Sequence, residues 1–199
     1  MSATNDVKKR MRARPAASPP VDAFAAAAER DGLVDVAYGS VDTPVGRLLL
    51  ATTSKGLVRV SFHYEAEDLV LDELARRVSP RVVKAPGKVA GVARELDEYF
   101  EGRRKTFDVP VDWALVGPYA RKVLRATAAI PFGKVSTYRE VARKAGNPAA
   151  SRAAGNALGS NPVAVVVPCH RVLRTNGGLG GYAGGVDTKE LLLRLEGVM

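Results

Sequence analysis

The chain has 199 residues, of which 46% are hydrophobic and 26% are charged, and its formal net charge at pH 7 is +9. This length and composition suit one or two small globular domains with a buried core. The sequence has no apolar run of the roughly 18 residues that a membrane-spanning helix needs. A single cysteine excludes an intrachain disulfide and a cysteine-rich zinc site. Because the N-terminus lacks the apolar run of a secretory signal, we expect a cytoplasmic protein.

The positive charge is concentrated in two parts of the chain. Residues 1–14 carry five Lys and Arg against one Asp, and residues 118–199 carry twelve Lys and Arg against four acidic residues. Their net charges are +4 and +8, which leaves −3 for residues 15–117. A basic C-terminal half is typical of a protein that binds a polyanion, although a solvated face without a partner gives the same charges. Residues 1–30 predict a flexible basic tail whose last ten residues are able to form a short helix.

A small mixed α/β domain with an antiparallel sheet is predicted over 31–112. Three β-branched or aromatic runs, the last two joined by a Gly-containing turn, predict strands at 33–38, 46–53 and 57–63. Helical spacing predicts two helices, at 66–78 and 89–100, and a short apolar run between them predicts a strand at 81–84. Since this half shows no catalytic cluster, and His63 lacks partner residue types nearby, we interpret the domain as a scaffold.

A mainly helical second domain is predicted over 113–199, which makes the fold class α/β of the α+β kind. After a helix over 119–130, the sequence Thr-Tyr-Arg-Glu at 137–140 is a capping box that opens a helix to about Lys144. Gly146-Asn147-Pro148 then breaks the chain before a further helix over 149–158. Two short helices joined by a tight turn with a glycine predict a helix-turn-helix.

The helix over 149–158 is built almost entirely from small residues, and Arg152 is its single long side chain. Small residues let a helix pack closely against another helix, and they also let it lie in a narrow minor groove without reading sequence. An isolated guanidinium on such a face suits insertion into a base stack or contact with a phosphate. We therefore favour the DNA interpretation.

The apolar run at 163–167 predicts a strand that delivers the single cysteine, Cys169. A lone cysteine is often a buried filler, but His170 and Arg171 follow it directly and are expected to lower the cost of forming a thiolate. The pattern thus favours a reactive nucleophile.

Two later segments complete the predicted site. The glycine-rich loop at 177–185 lacks the spacing of known phosphate-binding loops, and it fits better as a wall around a flat ligand with Tyr182. The last helix, predicted over 188–196, ends at Glu196, whose carboxylate is able to orient an imidazole.

Several motifs occur together in one order: Pro-Cys-His-Arg-Val at 168–172, Arg-Ala-Ala-Gly-Asn-Ala at 152–157, Asn-Pro at 161–162, Gly-Tyr-Ala-Gly-Gly at 181–185, and the segment 189–196. In these motifs the chain resembles the O6-alkylguanine-DNA alkyltransferases, the methylated-DNA–protein-cysteine methyltransferases. The resemblance is strong over 118–197, whereas the N-terminal half fits at the level of a small mixed α/β domain.

The resemblance implies DNA repair by direct, irreversible and stoichiometric transfer of an alkyl group to Cys169. The alkyl group comes from O6-alkylguanine, and also from O4-alkylthymine, in duplex DNA after minor-groove binding and nucleotide flipping. The implied partner is double-stranded DNA containing O6-alkylguanine. We expect a monomer, with cooperative binding along DNA left open, and neither a metal nor a cofactor.

The resemblance also assigns roles to individual residues. Cys169 is the acceptor, His170 removes its proton through a water, Glu196 holds the imidazole, Asn161 braces the turn, and Tyr138 rotates the target phosphate and donates a proton to the departing guanine. Arg152 fills the space of the flipped base. The implied DNA contacts are Arg152, Tyr138, Arg139, Asn147, Ala150, Ser151, Gly155, Thr175 and Tyr119. The implied walls of the guanine pocket are Val172, Tyr182 and Gly184.

Four positions depart from what relatives often carry: Ala120, Gly159, Ala164 and Ala183. We expect these small residues to weaken DNA binding or to enlarge the pocket. Two other functions stay open at this point. An alkyltransferase-like protein that binds damage without transfer is disfavoured by Cys169, and a Cys-His hydrolase gives the basic helix-turn-helix no role.

Overall fold

The computed structural model describes residues 32–199, so the tail predicted over 1–30 lies outside the described residues. Within this range, no helix is both long enough and apolar enough to cross a membrane. The first half of the range forms a sheet with two helices, and the second half is mainly helical.

The sheet has four strands, β1 (Val36–Thr43), β2 (Gly46–Thr53), β3 (Gly56–Phe62) and β4 (Val82–Lys84). Their spatial order is β3-β2-β1-β4, in which β1, β2 and β3 are antiparallel neighbours and β4 runs parallel to β1. Two helices, α1 (Glu67–Arg77) and α2 (Pro86–Phe100), complete this half. The predicted mixed α/β fold with an antiparallel sheet is confirmed, although the first strand starts and ends later than predicted.

Helix α2 packs closely on β1 because of one glycine. A Cβ atom at Gly39 would lie 2.8 Å from Val89 Cγ2, so a side chain at this position would push the helix off the sheet. Val89, Val92 and Leu96 are buried on the inner face of α2. The helix begins at Pro86, whose fixed φ suits the first turn.

The second half contains α3 (Pro118–Ala128), α4 (Tyr138–Lys144), α5 (Ser151–Gly159), a 3₁₀ turn (Cys169–Arg171) and α6 (Gly185–Leu195). Two short strands, β5 (Ser136–Thr137) and β6 (Val172–Leu173), pair in parallel and bring the start of α4 beside the end of the 3₁₀ turn. The capping box is present as predicted, since Glu140 N donates to Thr137 Oγ1 and Thr137 N donates to Glu140 Oε2. This cap fixes the backbone at Tyr138, the first residue of α4.

Helices α4 and α5 are joined by a tight turn in which Gly146 has a φ of +90°. The small residues of α5 are consistent with both interpretations of the sequence, close packing against another helix and an exposed face suited to DNA. Ala154, Ala157 and Leu158 are buried against neighbouring helices, whereas Arg152 lies on the exposed face. Close packing on one side therefore leaves the arginine free on the other.

The strand predicted over 163–167 is wrong. These residues form a buried turn in which Val167 N donates to Val163 O over 2.9 Å, and Val165 has a φ of +73°. Only a single bridge, between Ala164 and Val167, has strand character. The apolar run reflects complete burial rather than sheet pairing, since an apolar run alone does not distinguish the two.

The two halves share one hydrophobic cluster, which runs from β2, β3 and α2 to α3, α5 and α6. A backbone hydrogen bond crosses between them: Val60 N donates to Pro162 O over 2.7 Å. The first half thus holds the buried turn at 161–167 in place.

Replacing Thr137 by Ala should lower the free energy of unfolding by about 1 kcal/mol, because the first turn of α4 loses its cap. Urea denaturation of the variant and the parent measures this difference. Thr106→Ala, which removes an exposed hydroxyl without a hydrogen bond in the described structure, is the matched control and should change stability by less than about 0.5 kcal/mol. Equal effects in both variants would contradict the assigned cap.

Candidate active site

The site is centred on Cys169, which the 3₁₀ turn places directly after Pro168. Asn161 organises the chain around it. Its Nδ2 donates to Val167 O over 2.9 Å and to Cys169 Sγ over 3.2 Å, while its Oδ1 accepts from Val163 N over 3.1 Å. One buried amide therefore satisfies the polar backbone of the turn and orients the sulfur, in agreement with the predicted bracing role.

His170 and Arg171 both point to the carboxylate of Glu196, at the C-terminal end of α6. His170 Nε2 lies 2.9 Å from Glu196 Oε1, and Arg171 Nη2 donates to the same oxygen over 2.8 Å. Arg171 Nε donates to Oε2 over 2.9 Å, which makes the pair bidentate. All three side chains are buried, so the carboxylate is fully engaged with buried donors.

This arrangement decides the protonation state of the histidine. Burial opposes ionisation of Glu196, but hydrogen bonds from His170 and Arg171 outweigh it and lower the pKa of the carboxyl to about 2. An ionised carboxylate only accepts hydrogen bonds, so Nε2 of neutral His170 carries the proton and Nδ1 is the free base. Nδ1 has no hydrogen-bond partner among the described residues. Burial lowers the pKa of His170, which keeps the ring neutral at physiological pH.

The cysteine sulfur lies in a buried environment that disfavours its ionised form. Burial raises the pKa of Cys169 to about 11, against the opposing effects of the Asn161 hydrogen bond and the Lys189 charge. Arg171 does not lower it, because the guanidinium is turned to Glu196 and to Ile130 O. The expectation that Arg171 lowers the cost of forming the thiolate is therefore wrong, and the thiol is protonated at rest.

Lys189 is a second buried cation at the site, on α6. Its Nζ donates to the backbone oxygens of Val172, over 2.6 Å, and Leu179. Burial lowers the pKa of this amine to about 8. The lysine thus ties β6 to the glycine-rich loop while placing positive charge near the sulfur.

A cavity of about 700 Å³ opens at Cys169, a volume typical of a small-molecule site. Cys169 is only 5% exposed, but it lines this cavity together with residues of α5 and of the glycine-rich loop. The lining residues are Tyr138, Arg152, Gly155, Asn156, Leu158, Gly159, Cys169, Arg174, Gly180, Gly181, Tyr182 and Ala183. The loop therefore forms a wall of the cavity rather than a phosphate cradle.

Tyr138 lies between α5 and this loop, and a glycine of the loop makes room for its hydroxyl. A Cβ atom at Gly180, whose φ is +70°, would lie 2.7 Å from the Tyr138 hydroxyl oxygen. The ring also lies against Gly155, where a Cβ atom would be 3.7 Å away. Burial raises the pKa of Tyr138, so its hydroxyl remains protonated and available as a donor.

The remaining predicted residues fall into two groups. Six of the predicted DNA contacts are exposed or half-buried and do not line the cavity, namely Arg139, Asn147, Ala150, Ser151, Thr175 and Tyr119. Val172 and Gly184 are buried and do not line the cavity. A Cβ atom at Gly184 would lie 2.7 Å from Phe62 Cζ, so this glycine lets the loop approach β3. Their roles and the DNA contacts stay predictions.

Four residues of the site were missed by sequence reasoning: Tyr99, Lys189, Arg174 and Asn156. Asn156 and Lys189 belong to motifs that carry the family resemblance, which was a usable signal. Tyr99 lies in the half interpreted as a scaffold, and no local pattern distinguishes it. Within residues 32–199, no group of His, Cys, Asp and Glu is arranged to hold a metal ion.

Comparison with protein families identifies both halves of the chain. Residues 118–198 match the model of the 6-O-methylguanine DNA methyltransferase DNA-binding domain. Residues 36–113 match the model of the ribonuclease-like domain of the same methyltransferase.

Individual relatives agree with the family models. The chain is 40% identical over 161 residues to a methylated-DNA–protein-cysteine methyltransferase of Methanosarcina acetivorans, covering 80% of this chain and 97% of the relative. It is 43% identical to an inducible methyltransferase of that name from Bacillus subtilis, covering 74% and 82%. The structure of Mycobacterium tuberculosis OGT in complex with DNA matches with a TM-score of 0.69 and 36% identity, covering 80% and 92%. The chain therefore belongs to the methylated-DNA–protein-cysteine methyltransferase family.

Proposed function

We propose that this protein repairs DNA by transferring an alkyl group from O6 of guanine to Cys169 Sγ, in a reaction that each molecule performs once. One observation carries the proposal. The Cys169 thiol lines a cavity, and the next residue in the same buried turn is a neutral imidazole, His170, held by Glu196. Family membership supports the same conclusion.

The chemistry follows from the protonation states. The Cys169 thiol is protonated at rest, and Nδ1 of His170 removes its proton through an intervening water, while Glu196 stabilises the imidazolium that forms. The S–C bond forms as the C–O6 bond of the alkylated guanine breaks. Tyr138 donates a proton to the departing guanine. The proton that His170 took from the thiol then returns through water to the Tyr138 oxygen, so that overall one proton moves from the thiol to the guanine.

The product explains the single turnover. A thioether has no good leaving group, and the alkylated sulfur cannot return to a thiol under mild conditions. The reaction as written needs no metal and no cofactor, because the alkyl donor is the damaged base itself.

We propose duplex DNA containing O6-alkylguanine as the substrate, bound on the exposed face of α5. Arg152 lines the cavity mouth from this face and fills the place of the flipped nucleotide, which offsets part of the cost of extrusion. Arg139, Asn147 and Thr175 are exposed and contact the DNA backbone. The +8 net charge of residues 118–199 attracts this polyanion.

The proposal includes a division of labour between a scaffold domain over 31–112 and a DNA-binding, alkyl-accepting domain over 113–199. The matches of two separate family models, to 36–113 and 118–198, support this division. We propose that the protein acts as a monomer, since one chain supplies all the residues of the site.

Incubation with a duplex oligonucleotide containing O6-methylguanine should add one methyl group to Cys169, because the thiol is the acceptor. Intact-mass analysis and peptide mapping measure the gain, and Cys169→Ser is the control that should gain none. The reaction should stop at one equivalent per protein. A folded, DNA-binding preparation without a mass gain contradicts alkyl transfer and favours damage binding alone, whereas repeated turnover on an ester or amide favours a hydrolase.

Arg152→Ala should slow repair of duplex DNA by about tenfold or more while leaving reaction with a free O6-alkylguanine base, such as O6-benzylguanine, nearly unchanged. The free base needs no extrusion, so it does not use the residue that fills the vacated stack. Single-turnover rates on the two substrates measure the ratio. Arg143→Ala, an exposed arginine of α4 that does not line the cavity, is the matched control. Equal losses on both substrates would contradict the role of Arg152.

Glu196→Gln should lower the free energy of unfolding at pH 7 by about 3 kcal/mol, because the Gln leaves buried Arg171 without its counter-ion. The pKa of Glu196 is lowered to about 2 in the folded state, from an ordinary value of 4.5 in the unfolded chain. Its contribution to stability is therefore complete above pH 4.5 and is lost as the pH falls between these two values. The difference between parent and variant should therefore shrink below pH 4.5.

Urea denaturation at a series of pH values measures this difference. Glu190→Gln, which removes the partly exposed pair with Arg194 on the same helix, is the matched control and should change stability by less than about 1 kcal/mol. A constant difference between parent and Glu196→Gln down to pH 3 would show that Glu196 is not the ionised partner.

A further inference from the structure

One hydrogen bond joins the N-terminal half directly to the acid–base residues of the site. Tyr99, near the end of α2, is fully buried, and its hydroxyl donates to Glu196 Oε1 over 2.7 Å. The two residues are 97 positions apart in the chain. This oxygen is the same one that lies 2.9 Å from His170 Nε2.

The hydroxyl is a fixed, neutral donor. Burial and the charge of Glu196 raise the pKa of Tyr99 well above its usual value, so the proton stays on the phenol. The ring is held by aromatic neighbours, with centroid distances of 5.4 Å to Phe100, 5.3 Å to Phe107 and 6.2 Å to Phe132. Neither the ring nor the proton has freedom to move away from the carboxylate.

Oε1 accepts from Tyr99, His170 and Arg171 at once. Each donor takes a share of the oxygen's negative charge, which limits how strongly the carboxylate attracts a proton onto the imidazole. The Tyr99 hydrogen bond is also one of the interactions that lower the pKa of Glu196. Loss of this donor frees the carboxylate to rotate and raises the basicity of both Glu196 and His170.

We propose that Tyr99 is a positioning residue for alkyl transfer, acting through Glu196 to hold His170 in the neutral form with Nδ1 free as the base. The inference rests on the proposed function of Cys169 and His170. It makes the N-terminal half part of the acid–base apparatus, beyond its support of the turn at 161–167.

The test is Tyr99→Phe, which keeps the aromatic ring and its packing and removes only the hydroxyl. We expect the single-turnover rate on duplex DNA with O6-methylguanine to fall by between about threefold and tenfold. The acid limb of the pH–rate profile should move to higher pH, since protonation of His170 or Glu196 removes the active form and both pKa values rise. Thermal unfolding checks that the variant is folded.

A spectroscopic readout separates positioning from packing. The chain has two histidines, and His63 lies exposed just after β3, away from the buried His170. Nitrogen-15 NMR of the imidazoles should show changed His170 signals and a raised His170 pKa in Tyr99→Phe, with His63 unchanged as an internal reference. A tyrosine that served packing alone would leave the His170 titration as in the parent.

Two further variants complete the design. Tyr38, in β1, packs against a separate hydrophobic cluster that includes Val36 and Leu49. Tyr38→Phe removes its hydroxyl and should leave the rate, the pH profile and the His170 signals unchanged. In the Glu196→Gln background, Tyr99→Phe should have no further effect on the rate, because the two residues act as one unit.

Parent-like rates and pH profile in Tyr99→Phe would overturn the proposal, as would a rate loss with unchanged His170 signals. Additive losses in the double variant would also overturn it. If the parent itself transfers no methyl group, the proposed function fails, and the NMR titration alone still decides whether Tyr99 acts on the Glu196–His170 pair.

Discussion

The site depends on the hydrogen bonds and the ion pair made by the buried carboxylate of Glu196. Burying a carboxylate is unfavourable unless its charge is compensated and its oxygens are hydrogen-bonded. Arg171 supplies the compensating charge, and His170 and Tyr99 supply further donors. Since these donors come from the 3₁₀ turn and from α2, and the carboxylate comes from the end of α6, the network can form only when both halves are folded.

That network also explains why the nucleophile is a protonated thiol. Arg171 is paired with Glu196 and does not act on the sulfur. The charge of Lys189 and the hydrogen bond from Asn161 do not outweigh burial, so the pKa of Cys169 is raised. A resting thiol reacts slowly with chance electrophiles, which protects a residue that is used once. Nδ1 of the neighbouring His170 has no hydrogen-bond partner among the described residues, which is what the proposed removal of the thiol proton requires.

Close approach governs the remaining parts of the site. Tyr138 fits against the loop because position 180 is a glycine, and the loop reaches β3 because position 184 is a glycine. Asn161 stabilises the buried turn by hydrogen bonds to the backbone of Val163 and Val167. The small residues that indicated DNA binding thus pack inside the protein on one side of α5. The exposed side of the helix is the one proposed to contact DNA.

The sequence by itself determined the parts that depend on neighbouring residues: the capping box at Thr137 and Glu140, the tight turn at Gly146, the basic second half and the motif around Cys169. These follow from short spacings and composition, which local chemistry largely decides. The contact between His170 and Glu196, which are 26 positions apart, was also expected, because the resemblance to a family supplied this pairing.

Only the tertiary structure decided the pKa of the thiol, the turn in place of a strand at 163–167, and the entry of Tyr99 into the site. An apolar run predicts that its residues are buried, but it does not predict whether their backbone forms a strand or a turn. In the same way, the sequence around Arg171 does not show that its guanidinium pairs with Glu196 and not with the sulfur of Cys169. Burial and contacts across 97 residues arise only when the two halves pack against each other, and no local pattern in the chain records them.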